Sequence, residues 1–145
     1  MTYTLKTTHW NEEKENLSEI RRKVFIDEQK VPEELEWDEY DAESIHILAS
    51  DNNTAIATGR MKPDGHIGRM AVLKEYRNKG VGSQILKLLV NAAIEQNLEK
   101  VYLHAQTSAI PFYEKHGFIT CSDEFMDAGI PHKSMELEPE RHRDT

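Results

Sequence analysis

The chain of 145 residues has one cysteine, Cys121, and is short of positive charge, with 18 Lys and Arg against 26 Asp and Glu and a formal net charge of -8. A single thiol excludes an internal disulfide and suits a reducing cytoplasm. Its simplest reading is a small buried apolar residue rather than a reactive group. The acidic balance argues against general binding to nucleic acid or to anionic membranes, since both need a basic footprint. It leaves room for a local basic pocket. No apolar run approaches the roughly 20 residues of a membrane span. The opening ten residues lack the charged-then-apolar pattern of a secretory leader. Repeats, low-complexity stretches and linkers are missing too. What is present, 38% hydrophobic and 30% charged residues, predicts one domain over residues 1–145, with a polar, frayed tail from about 138. At this length about 70% of the unfolded surface is typically buried, enough for a core without staples.

Residues 3–8 read as a first strand. Asn11 can cap a helix with Glu12 and Glu13 in its first turn, and Leu17, Ile20 and Val24 give it one apolar face. Val31-Pro32 ends that unit. Residues 33–43 are strongly acidic and read either as a solvated face or as a wall that attracts a cationic substrate. Residues 44–50 and 54–62 read as strands joined at Asp51-Asn52-Asn53. Pro63-Asp64-Gly65 is a further turn, and residues 66–73 a third strand. A helix is predicted over about 79–96. Val81, Ile85, Leu88, Leu89, Ala92 and Ala93 form its stripe, with Gln84, Lys87, Asn91 and Glu95 opposite. Residues 100–106 are the next strand, which makes a βαβ pattern. A short helix over 108–116 stops at Gly117, and strands near 118–122 and 132–137 close the domain.

Gly80-Val81-Gly82 stands where a strand hands over to the long helix. The first helical turn leaves N–H groups unpaired, glycine lets an anion approach the backbone, and the helix dipole adds partial positive charge. Arg77 and Lys79 add full charges. A phosphate fits that combination, although two glycines easing a tight turn would produce the same letters. A Walker loop requires Lys-Ser/Thr after the last glycine, whereas Gly82 is followed by Ser83-Gln84. A dinucleotide turn requires a sixth-position Gly or Ala, and that position is Ile85.

The remaining pattern is Met70-Ala71-Val72, then Arg77-Asn78-Lys79-Gly80-Val81-Gly82-Ser83 and Leu86, then Ala109-x-x-Phe112-Tyr113-x-x-x-Gly117-Phe118. With it the chain resembles the Gcn5-related N-acetyltransferases. Val24-Phe25-Ile26-x-Glu28-Gln29, Glu36-x-Asp38-x-x-Asp41 and His46 extend the resemblance to the small bacterial acetyltransferases of the ElaA and YjcF type. It covers residues 3–137. One departure is Gln106, where many relatives have Asn.

The resemblance implies an α/β (α+β) fold with a mixed, mostly antiparallel sheet flanked by helices. In that family the strand before the glycine turn is bulged and splays from the next, parallel strand, and pantetheine lies in the gap. Backbone groups of Met70, Ala71 and Val72 are then expected to meet pantetheine and the acetyl carbonyl. The N–H groups of Arg77, Asn78, Lys79, Gly80, Val81, Gly82 and Ser83 are expected to hold the pyrophosphate, with Gln106 and Phe112 also at the coenzyme. The implied reaction is direct attack of an amine on acetyl-CoA, with Tyr113 as proton donor to the leaving thiolate. The base is open among Glu28, Asp41, His46, His104 and His132, with His104 and Glu28 ranked first. A non-catalytic acyl-CoA-binding module is the rival reading. The acceptor is a small molecule or peptide amine, and a homodimer is the default assembly. No metal is expected, because no histidine pair has ligand spacing.

Overall fold

The computed structural model describes residues 3–139. Its strands are β1 (Thr4–Thr8), β2 (Ile45–Asp51), β3 (Thr54–Met61), β4 (Ile67–Val72), β5 (Val101–Gln106), β6 (Ile119–Thr120), β7 (Phe125–Asp127) and β8 (Ile130–Leu137). The α-helices are α1 (Trp10–Arg21), α2 (Glu33–Glu36), α3 (Val81–Glu95) and α4 (Ile110–Lys115). Among the described residues two compact units emerge, one of 3–63 with Ile67–Leu89 and one of Asp64–His66 with 90–139. No helix among those residues is long and apolar enough to cross a membrane.

The first unit is an antiparallel sheet in the order β1-β2-β3-β4. Asn52 and Asn53 turn β2 into β3 with φ of 51° and 71°, the left-handed pair that a two-residue hairpin needs. Helix α1 starts at Trp10, with His9 rather than Asn11 at its N-cap and no side-chain cap bond. Burial of Trp10 against Trp37 and His46 overrides the capping preference of Asn11. The expected apolar face of Leu17, Ile20 and Val24 is buried, and α1 runs on into a π-helical turn over Arg22–Glu28.

β3 has no side chain at Gly59. A Cβ there would stand 2.6 Å from Ile85 Cγ2 and 3.2 Å from Leu89 Cδ1, so this glycine lets α3 approach the sheet. Ile85, Leu86 and Leu89 are fully buried, each contributing about 1.5–3 kcal/mol. On the opposite side Lys87 and Asn91 are exposed, as the stripe predicts.

In the second unit β8 pairs with β5, β6 and β7, all antiparallel. Parallel pairing among the described residues is a single bridge, His66 to Tyr102. Strand β7 has no counterpart in the sequence reading. Its signal is the Asp127-Ala128-Gly129 turn, where Ala128 and Gly129 have φ of 53° and 77°. Gly117 ends α4 with φ 91° as expected. Cys121 corrects an expectation: it is exposed, not buried. Partial desolvation and nearby Glu136 push its thiol up, away from thiolate reactivity. Of the expected frayed tail, Glu138 is exposed and Pro139 buried, and the rest lies outside the described residues.

Candidate active site

β4 gains a residue on its partner. Thr58 pairs with Ala71 and Arg60 with Gly68, so three steps along β4 match two along β3. The bulge falls at Arg69, whose φ is 49°, and it re-aims the strand just before Met70-Ala71-Val72. Ala71 is buried, and Met70 and Val72 are half-buried. Arg69 is anchored to α2. Its guanidinium donates to the carbonyl of Glu36 at 3.2 Å and lies 3.3 Å from that residue's carboxylate.

The acidic stretch divides: Glu33, Glu34, Glu39 and Glu43 are exposed, and the other three carboxylates find partners. Glu36, Asp38 and Asp41 fold onto Arg21, Arg60 and Arg69. Arg21 is 1% exposed. It donates to Glu36 at 2.8 Å and to Asp41 at 2.6 Å, and its guanidinium lies 5.2 and 5.1 Å from the rings of Trp10 and Trp37. Arg60 donates to Asp38 at 2.7 Å and Asp41 at 2.9 Å. Burial raises the Glu36 carboxyl despite its arginines. For Asp41 burial pushes the same way, but the hydrogen bonds and charges of Arg21 and Arg60 outweigh it and hold the group low. His46 donates from Nε2 to the Asp41 carbonyl at 2.9 Å, and burial lowers its pKa. Both base candidates in this network, Asp41 and His46, are thus committed to structure. Sequence spacing does not reveal it, since its arginines come from α1, β3 and β4.

After β4 the chain makes a 3₁₀ turn over Lys74–Tyr76 and reaches the glycine segment. Asn78 and Gly80 have φ of 64° and 82°, and Gln84 N–H to Gly80 C=O at 3.1 Å is the first bond of α3. The N–H groups of the first turn therefore lack a carbonyl four residues back. A Cβ placed on Gly80 would meet no atom within 4 Å. The space over Gly80 is therefore open. Lys79 is exposed beside it.

The Arg77 side chain does something else. Its Nε donates to Val72 C=O at 2.9 Å, and its two terminal nitrogens grip Glu28 at 2.6 and 2.7 Å. The hydrogen bond from Arg77 holds the Glu28 carboxyl below its ordinary range. That makes it a weak base and gives Arg77 the work of tying the end of β4 to the π-helical turn.

In the second unit Gln106 closes β5, and a 3₁₀ turn over Thr107–Ala109 leads into α4. Tyr113 and Phe112 stand edge to face at 5.1 Å. Burial pushes the Tyr113 phenol up to about 12, so it keeps its proton throughout the neutral range. His104 is exposed on β5, 4.9 Å ring to ring from His66 and edge-on to Phe125 at 5.4 Å. His132, directly opposite Gln106 on β8, is buried. Among the described residues no three His, Cys, Asp or Glu side chains form a group that could hold a metal.

Known proteins resemble this chain in sequence and in fold. A family model described as an acetyltransferase (GNAT) domain matches residues 8–139. The chain is 45% identical over 120 residues to the uncharacterized N-acetyltransferase YjcF of Bacillus subtilis, covering 80% of this chain and 86% of that protein. Protein ElaA of Escherichia coli is 32% identical over 130 residues, covering 84% and 85% of the two chains. The crystal structure of E. coli ElaA superposes with a TM-score of 0.84 at 28% identity, over 94% of this chain and 100% of that one. An acyl-CoA N-acyltransferase structure from Pseudomonas aeruginosa gives 0.83 at 27% identity, over 93% and 99%.

Proposed function

The chain belongs to the acetyltransferase (GNAT) family and takes its acyl group from acetyl-CoA, and from that premise we propose that it acetylates a small amine, an exposed lysine or a protein N-terminus by direct attack. The observation that carries the proposal is the run from the β4 bulge to α3, with Asn78 and Gly80 left-handed and the space over Gly80 open. First-turn N–H groups from Gly80 to Ser83, with Lys79 beside them, would hold the pyrophosphate. Backbone groups of Met70, Ala71 and Val72 would meet pantetheine and the thioester, with Gln106 and Phe112 as further contacts. The family model spans residues of both units, which supports treating them as one catalytic domain. The reducing cytoplasm is the proposed compartment, which the free, exposed Cys121 suits.

A neutral amine would attack the thioester carbonyl. A backbone N–H near Val72 would stabilise the oxyanion, a preorganised contribution of about 2.7–4 kcal/mol for one donor elsewhere. As the C–S bond breaks, Tyr113 would donate its proton to sulfur. A phenol near 12 is a weak acid, so the transfer depends on the basicity of a fully developed thiolate in a dry site. Glu28 would hold Arg77 instead of taking a proton. His104, exposed on β5, would stay on the acceptor side.

The test is Tyr113→Phe. Turnover should fall by about 100-fold or more, while acetyl-CoA affinity stays within about twofold, since the ring remains. Unchanged turnover would remove Tyr113 from the acid role.

A further inference from the structure

The geometry points to His132 as the general base that takes the proton from the acceptor nitrogen. The inference deepens the acetyltransferase reading and rests on it. Three observations combine. First, the β5–β8 register sets His132 directly across from Gln106, and His104 across from Ser134. His132 therefore shares a sheet face with the strand end that leads, through Thr107–Ala109, into the helix bearing Tyr113. Second, its tautomer is fixed. Nδ1 donates to the carbonyl of Ile130, two residues back on its own strand, at 2.7 Å. The proton thus sits on Nδ1, and Nε2 presents a lone pair. Third, the ring is held in place. It stacks on Phe125 at 6.0 Å and 22°, and Phe125 is met edge-on by His104. With 8% of its surface exposed, it is an enclosed imidazole anchored through one nitrogen, the arrangement that a base oriented by a third group needs.

The other candidates are spent or less enclosed. Glu28 is gripped by Arg77, and Asp41 and His46 belong to the buried arginine network. His104 is exposed on its strand, whereas His132 is enclosed. The charged and titratable groups on the strands around His132 are His104 and Tyr102 on β5, Asp127 on β7, and Lys133 and Glu136 on β8 itself. Tyr102 donates to Asp64 at 2.5 Å.

The proton balance closes. The amine nitrogen bonds to the acyl carbon, and its N–H becomes acidic as positive charge builds. His132 Nε2 takes that proton while the C–S bond breaks. Tyr113 protonates the departing sulfur and recovers its proton from the imidazolium through solvent. One amine and one thioester become one amide and one thiol.

The experiment compares wild type, His132→Gln, His132→Ala and His104→Ala with acetyl-CoA and a primary amine, following release of free thiol across pH. Thermal melts verify that each variant is folded. His132→Gln should lower kcat/KM by about 100-fold or more with acetyl-CoA affinity unchanged. It should also lose the acidic limb that reports imidazole ionisation. Added imidazole should restore part of the rate of His132→Ala, which a purely structural role would not allow. His104→Ala should keep the limb. A folded His132→Gln with wild-type rate and pH profile overturns the assignment while leaving the acetyltransferase reading intact. If neither His132 variant folds, wild-type protein carries the test: with diethyl pyrocarbonate sites located by peptide mass spectrometry, turnover should fall in step with modification of His132 and not of His104, and full activity with His132 modified overturns the assignment. Wild type that releases no thiol with any amine overturns both.

Discussion

Arg77 and Glu28 show how far a motif letter can be from its side chain's work. In the pattern Arg-x-x-Gly-x-Gly the arginine looks like a phosphate ligand, yet all three guanidinium nitrogens are used on Val72 and Glu28. Glu28→Gln should therefore behave as a loosened clamp. Measured by steady-state kinetics, KM for acetyl-CoA should rise by at most about fivefold, the range of an exposed ion pair, with turnover little changed. A loss of turnover of about 100-fold or more would instead make Glu28 the base. The turn between β4 and α3 and the helix that carries Tyr113 were legible because their backbone depends on neighbours close in sequence. The Arg77 clamp and the His132–Ile130 lock were not, because which atoms meet depends on backbone geometry that letters do not encode.

At the scale of elements, the long helix was legible because its apolar stripe is wide and unbroken. Its closeness to β3 hangs on Gly59, which the sequence shows only as a glycine within a strand. Gly59→Ala should cost about 1–3 kcal/mol in urea unfolding, since its Cβ must displace Ile85 Cγ2 from 2.6 Å. A neutral result would mean that α3 shifts freely on the sheet. The bulge at Arg69 follows from the resemblance alone, since no sequence periodicity marks it. The acidic stretch was the least legible segment. Its partners Arg21, Arg60 and Arg69 lie far away in sequence, and only folding brings the charges into register. Replacing Arg21 by Met should cost about 3–5 kcal/mol, because it takes from buried Glu36 and Asp41 a shared cation and leaves Arg69 and Arg60 as their remaining partners. Chemical denaturation measures that directly, and a change under about 1 kcal/mol would contradict the network's role.

For the molecule as a whole, the pKa shifts set a pH window. Asp38, Asp41 and Glu28 are held low in the fold. Each contributes stability that is present above its unfolded value and lost as pH falls through the folded one. Glu36 is raised and opposes them. Tyr102 and Tyr113 are pushed up to about 12. Their contribution is full below about 10, the unfolded value, and is lost as pH rises toward about 12. Urea melts across pH should show stability falling at both ends; a rise above about pH 10 would contradict the tyrosine assignments. The net charge of -8 was legible at once. The acceptor was not legible, since spacing does not encode pocket shape. The central claim is amine acetylation from acetyl-CoA. It is tested most directly by following free thiol from acetyl-CoA with a panel of primary amines. Acceptor-dependent thiol release, with a matching acetylated amine, is the predicted result. Acetyl-CoA binding with no acceptor-dependent release from any amine would contradict it.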